Sequence, residues 1–165
     1  PLDVVESYVW GLNPQWGYYK HPPLPAWITS VAINLFGKHV YVLMLLGPFS
    51  ILVSLIPISW LAKELLPKKA AVVAIFITTT SLYFNFLIPE FNHNVVQIPL
   101  WASAIALLWA CMRYGRYKHF ALLGFVLGLC FLAKYSAVIL YAFILLTLIK
   151  KLLLSSKWVK IFFLK

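Results

Sequence analysis

The sequence predicts an all-α protein: a polytopic bundle of transmembrane helices with an interfacial helix in its first outer loop. Three observations predict it. Of 165 residues, 63% are hydrophobic and only 11% charged, with a mean hydropathy of +0.90; a soluble domain is about 45–50% apolar and about 25% charged. The apolar runs are roughly 14–24 residues long, too long for barrel strands of about 9–11 residues. The formal net charge of +10 falls between those runs. In a soluble chain such a charge would point to nucleic acid. Here it reads as a topology signal and as contact with the headgroups of membrane lipid, with no nucleic-acid partner.

Residues 1–39 read as an outer loop. Its first part, 1–23, is polar and aromatic, including Trp16-Gly-Tyr-Tyr-Lys-His-Pro-Pro-Leu-Pro-Ala-Trp27. Residues 24–36 have a helical pattern but are too short to cross about 30 Å of hydrocarbon. Pro25 suits a first helical turn and Gly37 a helix end, so this segment is expected to lie in the interface plane. A bundle over 40–149 follows, with helices expected at about 40–62, 70–88, 95–112, 119–133 and 136–149. Gly47-Pro48 and Pro57 are kink candidates in the first. Lys134-Tyr135 separates the last two, which read as two thin spans because a lysine at the bilayer centre costs about 2.5–3.5 kcal/mol. Residues 150–165 read as a basic amphipathic tail on the cytoplasmic side. The chain opens inside a loop and reads as part of a longer protein. Cys111 and Cys130 lie in apolar runs and read as small buried hydrophobes.

Basic-residue asymmetry sets the orientation. One set of loops carries Lys63, Lys68 and Lys69, then Arg113, Arg116 and Lys118, then Lys150, Lys151, Lys157 and Lys160; the other carries Lys20, Lys38 and Lys134. The first set is expected in the cytoplasm. Asp3, Glu6 and Glu90, three of only four acidic residues, then fall outside together with His21 and His93.

These outer residues are the candidates for chemistry. Asp3 and Glu6, at i and i+3, share a face if their stretch is helical; they read as a general base with a helper, as metal ligands, or as a solvated rim. Lys20 and His21 precede a stiff Pro-Pro pair that fixes their direction, which suits a phosphate clamp or a snorkelling anchor. The turn Pro89-Glu-Phe-Asn-His-Asn94 offers more polar groups than a helix cap needs. Asn94 reads as an N-cap, and Glu90 with His93 could bind a divalent metal ion with help from Asp3 or Glu6. Lys134, ionisable in an apolar setting, reads as a partner for an anionic headgroup or as a snorkelling helix end.

With those residues in view, the chain resembles the GT-C superfamily of polyprenyl-phosphate-sugar-dependent glycosyltransferases. The branch it resembles holds bacterial protein O-mannosyltransferase-like enzymes and the lipid A aminoarabinose transferases. The resemblance rests on Leu2-Asp-Val-Val-Glu-Ser-Tyr-Val-Trp10, Gly17-Tyr-Tyr-Lys-His-Pro-Pro-Leu-Pro-Ala-Trp27, Phe91-Asn-His-Asn-Val-Val-Gln-Ile-Pro-Leu-Trp101 and Leu122-Leu-Gly-Phe-Val-Leu-Gly-Leu-Cys-Phe-Leu-Ala-Lys-Tyr-Ser-Ala137. It implies that Asp3, with Glu6 nearby, is the general base. It implies that Lys20, His21 and Lys134 face the donor phosphate and that Glu90, His93 and Asn94 form a second polar loop on the acceptor side. The implied donor is a polyprenyl-phosphate-linked sugar, and the acceptor a glycan, lipid or protein. The implied reaction inverts the anomeric carbon, and the implied location is a bacterial inner membrane with the site facing the periplasm. Relatives often carry a glutamate where Val4 stands, an acid where Lys20 stands and an aspartate where Asn94 stands. The alternatives are a lipid or solute transporter, or an inactive remnant of the transferase. Transporters hold their ionisable groups near the midplane, whereas these sit at the outer rim.

Overall fold

The computed structural model describes residues 2–81, 84, 85 and 90–155. The described residues are helical with no strand. In chain order the helices are α1 (Leu2–Leu12), α2 (Leu24–Phe36), α3 (Val40–Leu65), α4 (Lys68–Thr79), α5 (His93–Tyr114), α6 (Tyr117–Ala133) and α7 (Ala137–Ser155). The chain divides into two units, Pro1–Tyr135 and Ser136–Lys165. The second contains α7, an apolar helix in which the Thr147 hydroxyl donates to the Phe143 carbonyl at 2.8 Å.

Helix bounds agree with the sequence reading in the middle of the chain and depart from it at the start. The stretch read as a loop over 1–23 begins with α1. Asp3 sits in its first turn, where a carboxylate stabilises the positive end of the helix. The helix stops just before Asn13-Pro14, as expected ahead of a proline. α2 has the anticipated limits, with Pro25 in its first turn and Gly37 at φ 86° as its C-cap, a conformation that favours glycine. α3 runs unbroken through Pro48 and Pro57 to Leu65. α4 begins at Lys68 and closes at Thr79, where the Thr78 and Thr79 hydroxyls bond back to the Ala74 and Phe76 carbonyls at 2.8 Å. The remainder of the helix expected to 88 includes residues outside those described, as does the tail beyond 155. α6 and α7 are separate helices, broken at the extended residue Lys134.

Among the described residues, α3 and α5 are the two helices long and apolar enough to cross a membrane; α2 and α6 are apolar but shorter. α5 packs against both α3 and α6, while α1 lies on α2, which also touches α3 and α6. The Tyr114 hydroxyl at the end of α5 donates to Glu64 near the end of α3 at 2.8 Å. At the opposite end of α5, about 33 Å away at 1.5 Å per residue, Lys134 of the α6 terminus donates to Asn94. α3 and α5 therefore run in parallel and α6 returns between their ends. Cys111 and Cys130 are both buried, as expected.

Gly11 governs how α1 docks. A Cβ placed there would sit 3.1 Å from the Ala26 carbonyl oxygen, the Ser30 nitrogen and the Thr29 methyl. Two of those are backbone atoms that cannot swing aside. Gly11→Ala is expected to destabilise the protein by about 1–3 kcal/mol, seen as a lower midpoint of unfolding in detergent. Gly128→Ala, where a Cβ meets no atom within 4 Å, serves as the comparison and should leave the midpoint close to wild type.

Candidate functional site

A small apolar core lies directly beneath the polar residues. Val4, Phe91, Val95, Val96 and Ala133 are buried together, with Leu24, Ile28, Leu43, Leu46 and Leu100 packed around them. Each segment that contributes to this core also carries a polar neighbour: Asp3 beside Val4, His93 and Asn94 between Phe91 and Val95, and Lys134 beside Ala133. Burial of apolar surface thus holds these three separate pieces of chain at one end of the bundle.

Within α1, the i, i+3 and i+7 spacing places Asp3, Glu6 and Trp10 on one face. The Lys20 ammonium lies 3.4 Å from both carboxylate oxygens of Glu6. This is the only ion pair among the described residues, so Glu6 is neutralised while Asp3 has no ion-pair partner there. Lys20 itself is directed by a tight turn in which the Tyr18 N–H donates to the His21 carbonyl at 3.2 Å.

His21, in the loop before α2, and His93, the first residue of α5, are 72 residues apart in sequence, yet their rings meet with centroids 3.9 Å apart and planes tilted by 33°. Trp10 presents its ring obliquely to both, at 6.2 Å from each. Two imidazolium rings at this separation would repel by about 4 kcal/mol at an effective dielectric constant of about 20, so at most one of the two rings is cationic near neutral pH. Burial lowers the pKa of His21 from its ordinary value; Glu6 opposes this, Lys20 and Lys134 reinforce it, and Asp3 opposes it weakly. His93 is buried, and its Nε2 has no hydrogen-bond partner among the described residues.

The helix cap differs from the sequence reading. Asn92, rather than Asn94, caps α5, its side-chain oxygen accepting from the Asn94 and Val95 N–H groups at 2.9 and 3.1 Å. Asn92 is the residue with extended backbone that an N-cap requires. This releases the Asn94 side chain, whose oxygen accepts from the Lys134 ammonium at 2.5 Å. Lys134 stands at the α6 C-cap, where a cation also complements the helix dipole.

The structure therefore gathers Asp3, Glu6, Lys20, His21, His93, Asn94 and Lys134 at one end of the unit formed by Pro1–Tyr135. Glu90 is half-buried at the edge of the turn and, among the described residues, makes no ion pair with them. Among the described residues no three carboxylate, imidazole or thiol side chains are placed to hold a metal ion together. Sequence reasoning passed over Trp10 and Tyr18. Their rings stack at 4.6 Å and 6°, and the Tyr18 hydroxyl donates to the Trp10 carbonyl at 3.0 Å. The i+7 relation of Trp10 to Asp3 was the available signal.

Comparison with known proteins identifies the family. Residues 20–164 match the family model of dolichyl-phosphate-mannose-protein mannosyltransferases. The match begins at Lys20, so Asp3 and Glu6 lie ahead of it. The lipid A galacturonosyltransferase RgtD of Rhizobium johnstonii is 24% identical over 138 residues, covering 82% of this chain and 29% of the relative. The chain thus spans less than a third of that relative's length. No solved structure matches it. The family match over most of the chain and the two long apolar helices make this a membrane protein, and the chain belongs to the dolichyl-phosphate-mannose-protein mannosyltransferase family of the GT-C superfamily.

Proposed function

We propose that this chain belongs to a membrane glycosyltransferase that moves a sugar from a polyprenyl-phosphate donor to an acceptor hydroxyl at the outer face of a bacterial inner membrane. The observation that carries the reading is the convergence of a carboxylate with no ion-pair partner among the described residues, an imidazole pair and a lysine at one end of the helices. Asp3 takes the proton of the acceptor hydroxyl as its oxygen attacks the anomeric carbon. The bond from that carbon to the phosphate oxygen breaks, and its electron pair leaves with the polyprenyl phosphate. Attack opposite the leaving group inverts the anomeric centre. His21 in its cationic form and the Lys134 ammonium balance the charge that develops on the departing phosphate. The buried Nε2 of His93 offers a position for a substrate hydroxyl, which would satisfy a group otherwise costly to leave without a partner.

A groove of about 360 Å³ on the neighbouring face of α1 supports a lipid-linked donor. Val4, Val5 and Tyr8 form one wall and Leu43 and Met44 another, with Lys38 and His39 also lining it. An isoprenoid chain suits the apolar walls, with the Lys38 side chain at the rim. The polar cluster stands at helix ends rather than mid-helix, which favours transfer over transport.

The test is a transfer assay on the intact protein in lipid vesicles. Labelled sugar is expected to pass from a polyprenyl-phosphate donor to the acceptor fraction with inverted anomeric configuration, and not from a nucleotide sugar. Use of the nucleotide sugar alone, or retained configuration, overturns the proposal.

A further inference from the structure

Beyond the catalytic cluster, a second cavity of about 370 Å³ opens on the loop after α1. Its walls are Trp10, Tyr18 and Tyr19, with Asn13 and Gln15 along the rim. The Trp10 and Tyr18 rings form a parallel stack, and Tyr19 meets Trp10 edge-on at 86° with centroids 6.5 Å apart, so the rings make a corner. This corner is built before any ligand arrives. The Tyr18 hydroxyl accepts from the Gln15 N–H at 3.1 Å and donates to the Trp10 carbonyl at 3.0 Å, and the Trp27 indole donates to the Gln15 carbonyl at 2.8 Å. Tyr19 is 91% exposed, and the side chains of Asn13 and Gln15 are exposed as well.

We infer that this corner is a glycan subsite, receiving a pyranose ring of the acceptor. A pyranose has a face of C–H groups that packs on an aromatic ring and an equator of hydroxyls that pair with amides. Few other ligands need both in one concave site. A simple interfacial anchor needs exposed rings but neither the rigid corner nor the two amides; Trp16 and Trp27, paired edge-to-face at 5.0 Å, supply such rings nearby. Trp10 connects the subsite to the chemistry, since the same ring lines the corner and touches both His21 and His93. Asp3 precedes Trp10 by seven residues, about 10 Å along the helix. The corner therefore holds a sugar one or two units removed from the hydroxyl that reacts. The inference rests on the proposed transfer reaction and names its acceptor as a glycan or the glycan portion of a lipid.

Gly17 gives a clean test, because it lines the cavity and a Cβ there meets no atom within 4 Å. Gly17→Leu adds a side chain to the corner from a position where a Cβ has open space, and Tyr19→Ala removes one wall. In the intact protein in nanodiscs, both variants are expected to raise the KM for a glycan acceptor at least about tenfold. The KM for donor and the slow hydrolysis of donor by water should stay at wild-type values. Saturation-transfer NMR with mannobiose gives an independent reading: the wild type passes saturation to the C–H protons of the sugar and Gly17→Leu does not. Equal mannobiose signals in the two proteins, an unchanged acceptor KM, or weakened membrane association as the sole effect of Tyr19→Ala overturns the subsite. A wild type that neither transfers nor hydrolyses any donor overturns the transferase reading instead, whatever mannobiose does.

Discussion

Intact protein carrying Asp3→Asn is expected to transfer sugar at no more than about one hundredth of the wild-type rate. Asparagine keeps the size of the side chain and its hydrogen bonding but cannot accept a proton. Neither Glu6 nor Asn94 fits the vacated role. Glu6 is held by Lys20, and Asn94 has no basic oxygen and is engaged by Lys134. Because the proposed mechanism places Asp3 against the acceptor hydroxyl, the KM for donor should change little while kcat falls. Single-turnover kinetics with saturating donor would measure this. Transfer within a few-fold of wild type would remove Asp3 from the mechanism. A rise in donor KM with unchanged kcat would move it to donor binding.

Replacing His21 with glutamine is expected to raise the KM for donor about ten- to a hundredfold at pH 6, the value of a hydrogen bond to a charged group. The effect should shrink as pH rises, and the sign follows from the surroundings of the ring. Burial lowers the pKa of His21, with Lys20 and Lys134 adding to the effect and Glu6 and Asp3 opposing it. The empty site therefore holds His21 mostly neutral at neutral pH. A donor phosphate favours the cation, raises the pKa again, and so binds with uptake of a proton. Wild-type affinity for donor should fall as pH rises from 6 to 8, while His21→Gln shows a flat profile. His93, with its ring centroid 3.9 Å away, disfavours a second positive charge beside the first. A wild type whose donor KM does not vary over this range would exclude His21 as the titrating phosphate ligand.

The fold was legible wherever apolar length and a punctuating residue coincided. Pro25 and Gly37 bounded α2 to the residue, and Lys134 correctly divided α6 from α7. α1 was hidden because it is short, stands next to an aromatic loop, and owes its docking to a contact at Gly11 that local pattern does not reveal. At the site, charge asymmetry and i,i+3 spacing anticipated that these polar residues lie at one end. Pairings were beyond reach. That Glu6 would be taken by Lys20, that Asn92 would cap so that Asn94 could meet Lys134, and that His21 would lie on His93 all depend on contacts across 14 to 72 residues of chain. Two amides near a helix start are equivalent by composition, and only the extended backbone at Asn92 separates them.

The interleaving of Val4, Phe91, Val95 and Ala133 with Asp3, His93, Asn94 and Lys134 has a practical meaning for genetics. In a saturation screen for lost activity, hits will cluster as one patch, because a residue that shapes the foundation stands next to nearly every residue that would do chemistry. Protein abundance in the membrane, recorded for each allele, is what sorts the two: collapsed alleles at Phe91 or Val95 should vanish from the blot, while silent but plentiful protein should mark Asp3.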